Sequence, residues 1–134
     1  MKRSEVIPAV KAALATITPA IPVFEDDFTA AAANAMDVVM KSSGVCLAVT
    51  PIMGTQTAGQ ARQRSAEKAA VRVHLRTNRA LAPTFDHYSG IDAAIDAILA
   101  DRQLRAELAP EATDYVAEDA GLLTHAMNFT VTIN

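Results

Sequence analysis

Between Glu67 and Arg79 the chain reads EKAAVRVHLRTNR, and its apolar and polar residues alternate. Val71, Val73 and Leu75 share one side and Arg72, His74 and Arg76 the other, the period-two pattern of a strand with one face in a core. A second alternating run closes the sequence. In LLTHAMNFTVTIN, His125, Met127, Phe129, Val131 and Ile133 alternate with polar residues and predict a final amphipathic strand. VCLAVTP is apolar along most of its length, which predicts a strand buried on much of both faces and ended by Pro51.

Period 3.6 appears elsewhere. Ser4 can cap a first helix in which Val6, Val10, Ala13, Leu14 and Ile17 recur at helical spacing, with Pro19 and Pro22 ending it. A short edge strand is expected around Ile21–Phe24. Thr29 can cap AAAANAMDVVMKSSG, rich in the best helix former, with Lys41 in its last turn and Gly44 as a stop. Ser89 is expected to cap a third helix with the stripe Ile91, Ala94, Ile95, Ile98 and Leu99, and RQLRAELA to continue it. The polar segment MGTQTAGQARQRS reads as an extended hairpin tip at about 53–66, NRALAPTFDHYS as a loop, and EATDYVAEDAG as an acidic connection. These elements predict an α+β fold, a two-layer sandwich in which a mainly antiparallel sheet of about four strands packs on two to three helices.

Composition adds three constraints. At 134 residues the chain is expected to form one domain, 1–134, with a core built from Val, Ile, Leu, Met and Ala, since aromatics are few and Trp is absent. The single cysteine, Cys46, excludes an intrachain disulfide and reads as a small buried hydrophobe. No apolar run reaches the roughly 20 residues that span a bilayer, so no membrane partner is expected. Glu5, Pro8 and Lys11 interrupt the apolar stretch of a signal peptide, and the segment reads as an amphipathic helix of a cytoplasmic protein.

Candidate chemistry is sparse. GTQTAGQ lacks the Lys-Ser/Thr of a phosphate loop and any Gly-x-Gly. His74 lies on the polar face of its strand, His125 by parity on the apolar face of the last one, and His87 in a loop, a poor basis for one tetrahedral metal site. Asp86 and His87 are adjacent in FDHY and make the one hydrolase candidate, but adjacency does not hold a base in place. The expectation is no catalytic residue, no metal, no cofactor and no enzymatic activity.

Charge is segregated along the chain. Arg62, Arg64, Lys68, Arg72, Arg76 and Arg79 fall within eighteen residues, opposed only by Glu67, although the net charge is −3. From Asp92 to Asp119 eight acidic residues face only Arg102 and Arg105. A solvated strand face and nucleic-acid binding both fit a basic strand, but the strand has no aromatic to stack on bases and the domain is acidic. The favoured reading is self-complementarity, in which the basic face of one copy meets an acidic surface of the next, Asp92, Asp96, Glu111, Asp114, Glu118 and Asp119 being candidates, in a head-to-tail contact that can close into a ring.

The layout resembles the tail terminator (tail completion) proteins of long-tailed bacteriophages, small α+β ring-forming proteins. The likeness runs through the opening helix SEVIPAVKAALATI, the helix leading into a strand at DVVMKSSGVCLAVTPI, the polar hairpin, the strand AAVRVHLRTNR, the helix GIDAAIDAILA and the closing strand HAMNFTVTIN. It implies a homohexameric ring in the virion neck, assembled in the host cytoplasm, between the tail tube and the head-completion proteins. Such a ring caps the tube, ends its polymerisation, and lets DNA pass through its lumen without sequence recognition. On that basis Arg72, His74, Arg76 and Arg79 are expected at a subunit interface or lumen, and Gln56, Gln60, Arg62 and Arg64 on a hairpin contacting a neighbouring ring or the tube. A related head–tail connector and a small nucleic-acid-binding module are the alternatives.

Overall fold

In the computed structural model, which describes residues 1–55 and 67–133, the two alternating runs are neighbouring central strands. In chain order the elements are α1 (Arg3–Leu14), β1 (Val23–Glu25), α2 (Ala30–Ser42), β2 (Val45–Thr55), β3 (Glu67–Asn78), α3 (His87–Ala100), α4 (Arg102–Glu107), β4 (Leu108–Asp119) and β5 (Leu122–Ile133). They form an α+β fold with one five-stranded sheet of order β1-β2-β3-β5-β4. Only the β1–β2 pair is parallel.

Register explains the core. Val49, Val73 and Met127 lie in one cross-strand row, and Leu47, Leu75 and His125 in the next. All but His125 join Val6, Val10 and Leu14 of α1, Ile91 and Ile98 of α3, and Leu104 of α4 in one continuous cluster. The opposite face carries Cys46, Ala48, Thr50, Arg72, His74 and Arg76, following the period-two rule. Over part of it lies α2, whose one buried residue is Met36, which leaves Cys46 and Ala48 fully buried. A fourth helix and a helix on the second face thus extend the expected two-layer plan.

Besides α1, whose N-cap is Lys2 and not Ser4, and β1, which spans Val23–Glu25 and not 21–24, three boundaries differ from the sequence reading. First, β2 does not stop at Pro51 but continues to Thr55, with a register shift between Thr50 and Met53. A bulge is where a strand accommodates a residue lacking an N–H. Second, α3 is capped by Asp86, not Ser89. The Asp86 Oδ1 accepts from Tyr88 N at 3.1 Å and Ser89 N at 3.2 Å, so the helix starts at His87. Third, the acidic segment after Pro110 is strand β4, paired along β5 with irregularities at Pro110/Thr113 and Tyr115/Ala117. As an edge strand with every residue from 109 to 118 exposed, it has no buried face to impose alternation on its sequence.

The β4–β5 hairpin turns through Ala120 and Gly121, at φ 48° and 86°. Both values suit a two-residue type I′ turn, but alanine carries a Cβ that disfavours the left-handed region. Replacing Ala120 with glycine should therefore raise stability by about 0.5–1 kcal/mol, read as a higher urea midpoint at unchanged slope. A lower midpoint would mean that the entropy glycine adds to the unfolded chain outweighs the relieved strain.

Candidate functional site

The open part of the sheet face, between α2 and the β4 edge, carries the basic residues of β3. Arg72 is exposed, and its Nε donates to Asn128 Oδ1 at 2.8 Å. The Asn128 amide then donates to Asp114 Oδ2 and to the Ala112 carbonyl, each at 2.9 Å. A polar chain therefore links β3 through β5 to the acidic edge. Thr130 extends it with a hydroxyl 3.3 Å from Glu111 Oε1.

His74 sits half-buried between Ala48 and Ala126. Its Nδ1 is buried with no hydrogen-bond partner among the described residues. Burial holds its pKa below the usual imidazole range, helped by Arg76 and Arg72 and opposed by Asp26. Arg76 is half-buried beside Cys46 and Thr124. Among the described residues no hydrogen bond or ion pair engages its guanidinium. It lines a trough of about 490 Å³ with Phe28, Met36 and Met40 on the α2 side and Leu122 on the sheet side. Cys46 beneath is fully buried, and burial pushes its thiol up to about 11, far from a thiolate nucleophile at neutral pH.

The sequence grouped Arg79 with Arg72, His74 and Arg76, but it lies beyond the end of β3. There it pairs with Glu118 at 3.7 Å, and both side chains are about half exposed. Of the acidic candidates, Glu111, Asp114 and Glu118 share β4, and the backbone of Asp119 ends it. Asp92 and Asp96 are instead on the exposed face of α3, one turn apart. Gln56, Gln60, Arg62 and Arg64 lie outside the described residues.

A second polar cluster lies on the helix-covered side, where parity along β5 places His125 and where His87, expected in a loop, is the first residue of α3. The Asp86 cap turns His87 inward. Its Nδ1 is 2.8 Å from Thr77 Oγ1 and its Nε2 is 2.8 Å from His125 Nδ1. All three side chains are buried. Two nitrogens of one tetrahedral zinc site stand about 3.3 Å apart, so this pair as placed shares a proton. Burial, then His125 and Arg79, lowers the His87 pKa to about 4 against the pull of Asp86. The carboxylate of Asp86 points outward to the hydroxyl of Ser89 at 2.8 Å. The geometry therefore separates the two members of the FDHY hydrolase candidate. The only two tyrosines of the chain, Tyr88 and Tyr115, approach His125 edge-on at 5.7 and 5.4 Å.

Nothing in the sequence marks the juxtaposition of His87 with His125, because the contact spans 38 residues and depends on how α3 docks. No protein-family model matches the chain, and no curated protein matches it.

Proposed function

We propose that this chain is a structural assembly subunit of a long-tailed bacteriophage, a tail terminator that forms a homohexameric ring on the tail tube. The observation that carries the assembly reading is the charge layout of the sheet. A basic open face at Arg72 and Arg76, with His74 between them, includes a guanidinium, that of Arg76, with no hydrogen bond or ion pair among the described residues, and an acidic exposed strand forms the lateral edge of the same sheet. The likeness of the element layout to tail terminators narrows assembly to that role. In this reading the ring stops tube growth, joins the tail to the head-completion protein and lets DNA through without reading its sequence. It is a part of the virion neck and has no catalytic task.

The test is native mass spectrometry across a salt series with negative-stain images of the same sample. A six-fold ring that loosens as salt screens its contacts is expected. Arg72→Glu/Arg76→Glu should leave a folded monomer, because reversing both charges sets like against like at the junction. Rings that persist in this variant would overturn the contact assignment. The terminator role itself is checked by adding the protein to polymerising tail tube protein. Tubes should stop growing and carry a cap at one end, and tubes of unlimited length would reject the role. Retardation of DNA at low salt, falling steeply as salt rises, would favour the nucleic-acid-binding alternative instead.

A further inference from the structure

The first turn of α3 is docked on the sheet through one imidazole. His87, the first residue of the helix, meets Thr77 Oγ1 of β3 through Nδ1 and His125 Nδ1 of β5 through Nε2, each at 2.8 Å. Both rings are buried. The chain before it gives little anchorage, since Ala80, Leu81, Pro83, Thr84 and Asp86 are exposed. Beyond it the helix body is fixed. Gly90 packs so closely that a Cβ there would stand 2.8 Å from the Phe85 ring and 2.9 Å from Leu75, and Ile91 and Ile98 belong to the core. Asp86 to Ser89 is therefore a short segment between an exposed loop and a fixed helix.

The ring-to-ring contact holds only while at least one ring is neutral, because two doubly protonated imidazoles present two N–H donors and no acceptor. Every neighbouring element bears on that proton. Arg79, just past β3, opposes a charge on His87, and Asp86, the cap of α3, favours it. Arg79 is itself paired with Glu118 of β4. Asp86 accepts from Ser89, and its lowered pKa keeps the cap ionised between pH 7 and 5. Tyr115 of β4 and Tyr88 of α3 bring only ring edges to His125. Of the two sides of the contact, β5 cannot yield, since it is paired with β3 at every position from Leu122 to Ile133 and with β4 on its other flank. His87 can, because a recess of about 280 Å³ lies beside it, lined by Thr77, Arg79, Phe85, Asp86 and Tyr88.

We infer that the His87–His125 pair is an acid-released latch: proton uptake parts the two rings, swings His87 toward the recess and lifts the first turn of α3 from β5 while the sheet stays paired. The latch acts within one chain and is independent of the assembly reading. The released form loses the Gly90 N–H bond to the Asp86 carbonyl, 3.0 Å long in the docked form, and carries Tyr88 away from His125. Its sign follows from His87, which titrates at about 4 when docked against 6.5 when free. The latch therefore holds above about pH 6.5 and gives way progressively as pH falls toward 4. The equilibrium constant for release should rise about ten- to twentyfold between pH 7 and 5, the lower figure allowing for solvent screening.

Native-state hydrogen exchange followed by NMR at pH 7 and 5 tests this, with rates corrected for the pH dependence of intrinsic exchange. The reporters are the amides of Tyr88 and Ser89, bonded to the Asp86 carboxylate, and of Gly90. Their protection should fall about ten- to twentyfold from pH 7 to 5 and respond little to dilute urea, because a local opening exposes little surface. Amides of β5 should stay better protected at both pH values and respond steeply to urea, because they exchange through global unfolding. In His87→Gln the first turn should be equally protected at both pH values. Turn amides that exchange only with β5, at the same protection and urea slope, would overturn the inference. So would a turn indifferent to pH in the wild type, or a pH dependence that survives in His87→Gln. The first two outcomes need only the wild-type chain and decide the matter even if the variant does not fold.

Discussion

Lowering the pH from 7 to 4.5 should destabilise the folded protein by about 2 kcal/mol through His87 alone. The folded pKa of His87 is depressed from 6.5 to about 4, so between these values the unfolded chain binds the extra proton and the folded chain does not. Stability therefore falls as pH drops below about 6.5, and the loss is complete below about 4. The full shift corresponds to roughly 3 kcal/mol, which solvent at the rim near exposed Tyr88 screens to about 2. The main cause is burial of the imidazole, which disfavours its charged form. The His87–His125 contact holds one proton between Nε2 and Nδ1, and charge repulsion from His125 is the second cause. Arg79 adds to the repulsion and Asp86 opposes it. Thr77 can turn its hydroxyl to accept from His87 Nδ1, but it brings no counter-charge.

The measurement is thermal or urea unfolding from pH 7 to 4.5 for the wild type and His87→Gln. The variant should be less stable at pH 7 and have a flatter profile, so that the two curves converge toward pH 4.5. Parallel curves would remove His87 as the source. His74 acts in the same direction, since its pKa is also lowered, and it cancels in the comparison. Asp27 and Asp86 have lowered pKa values, so any stability they contribute is lost only as pH falls below the ordinary carboxylate range, outside this window.

Phe129→Ala should be the most damaging single change, at about 3–5 kcal/mol, a large fraction of the 5–15 kcal/mol typical of a domain. Phe129 is the largest of the fully buried side chains and sits on β5 opposite Val71 and Pro110. Its surroundings are mostly aliphatic and supplied by a sheet pinned on both sides of β5, so the site has little freedom to collapse around the cavity. Phe129→Leu keeps most of the volume and should cost under about 1.5 kcal/mol. Urea unfolding of both variants gives the comparison. A loss below about 1 kcal/mol for the alanine variant would mean that strand pairing, not side-chain packing, holds β5.

Both effects begin in β5, whose face assignments were legible in the residue order. A strand with one buried face must alternate, and β3 and β5 do, so Val71, Val73, Leu75, Met127 and Phe129 could be assigned inward and His125 with them. Helix stripes at Val6, Val10, Leu14 and at Ile91, Ala94, Ile98 were legible for the same reason, since burial of one face writes a period into the sequence. Where that cause is absent the pattern is absent too. Strand β4, exposed on both faces, reads as an acidic loop. Pro51 looks like a terminator because a register shift is set by the partner strand, not by local residues. Tertiary structure alone decides that His87 meets His125, that Arg79 parts from Arg72 and Arg76 to join Glu118, and that α2 walls a trough with a strained Phe28 at its rim. Each depends on how distant segments dock, and no local period encodes which face of α3 or α2 meets which strand.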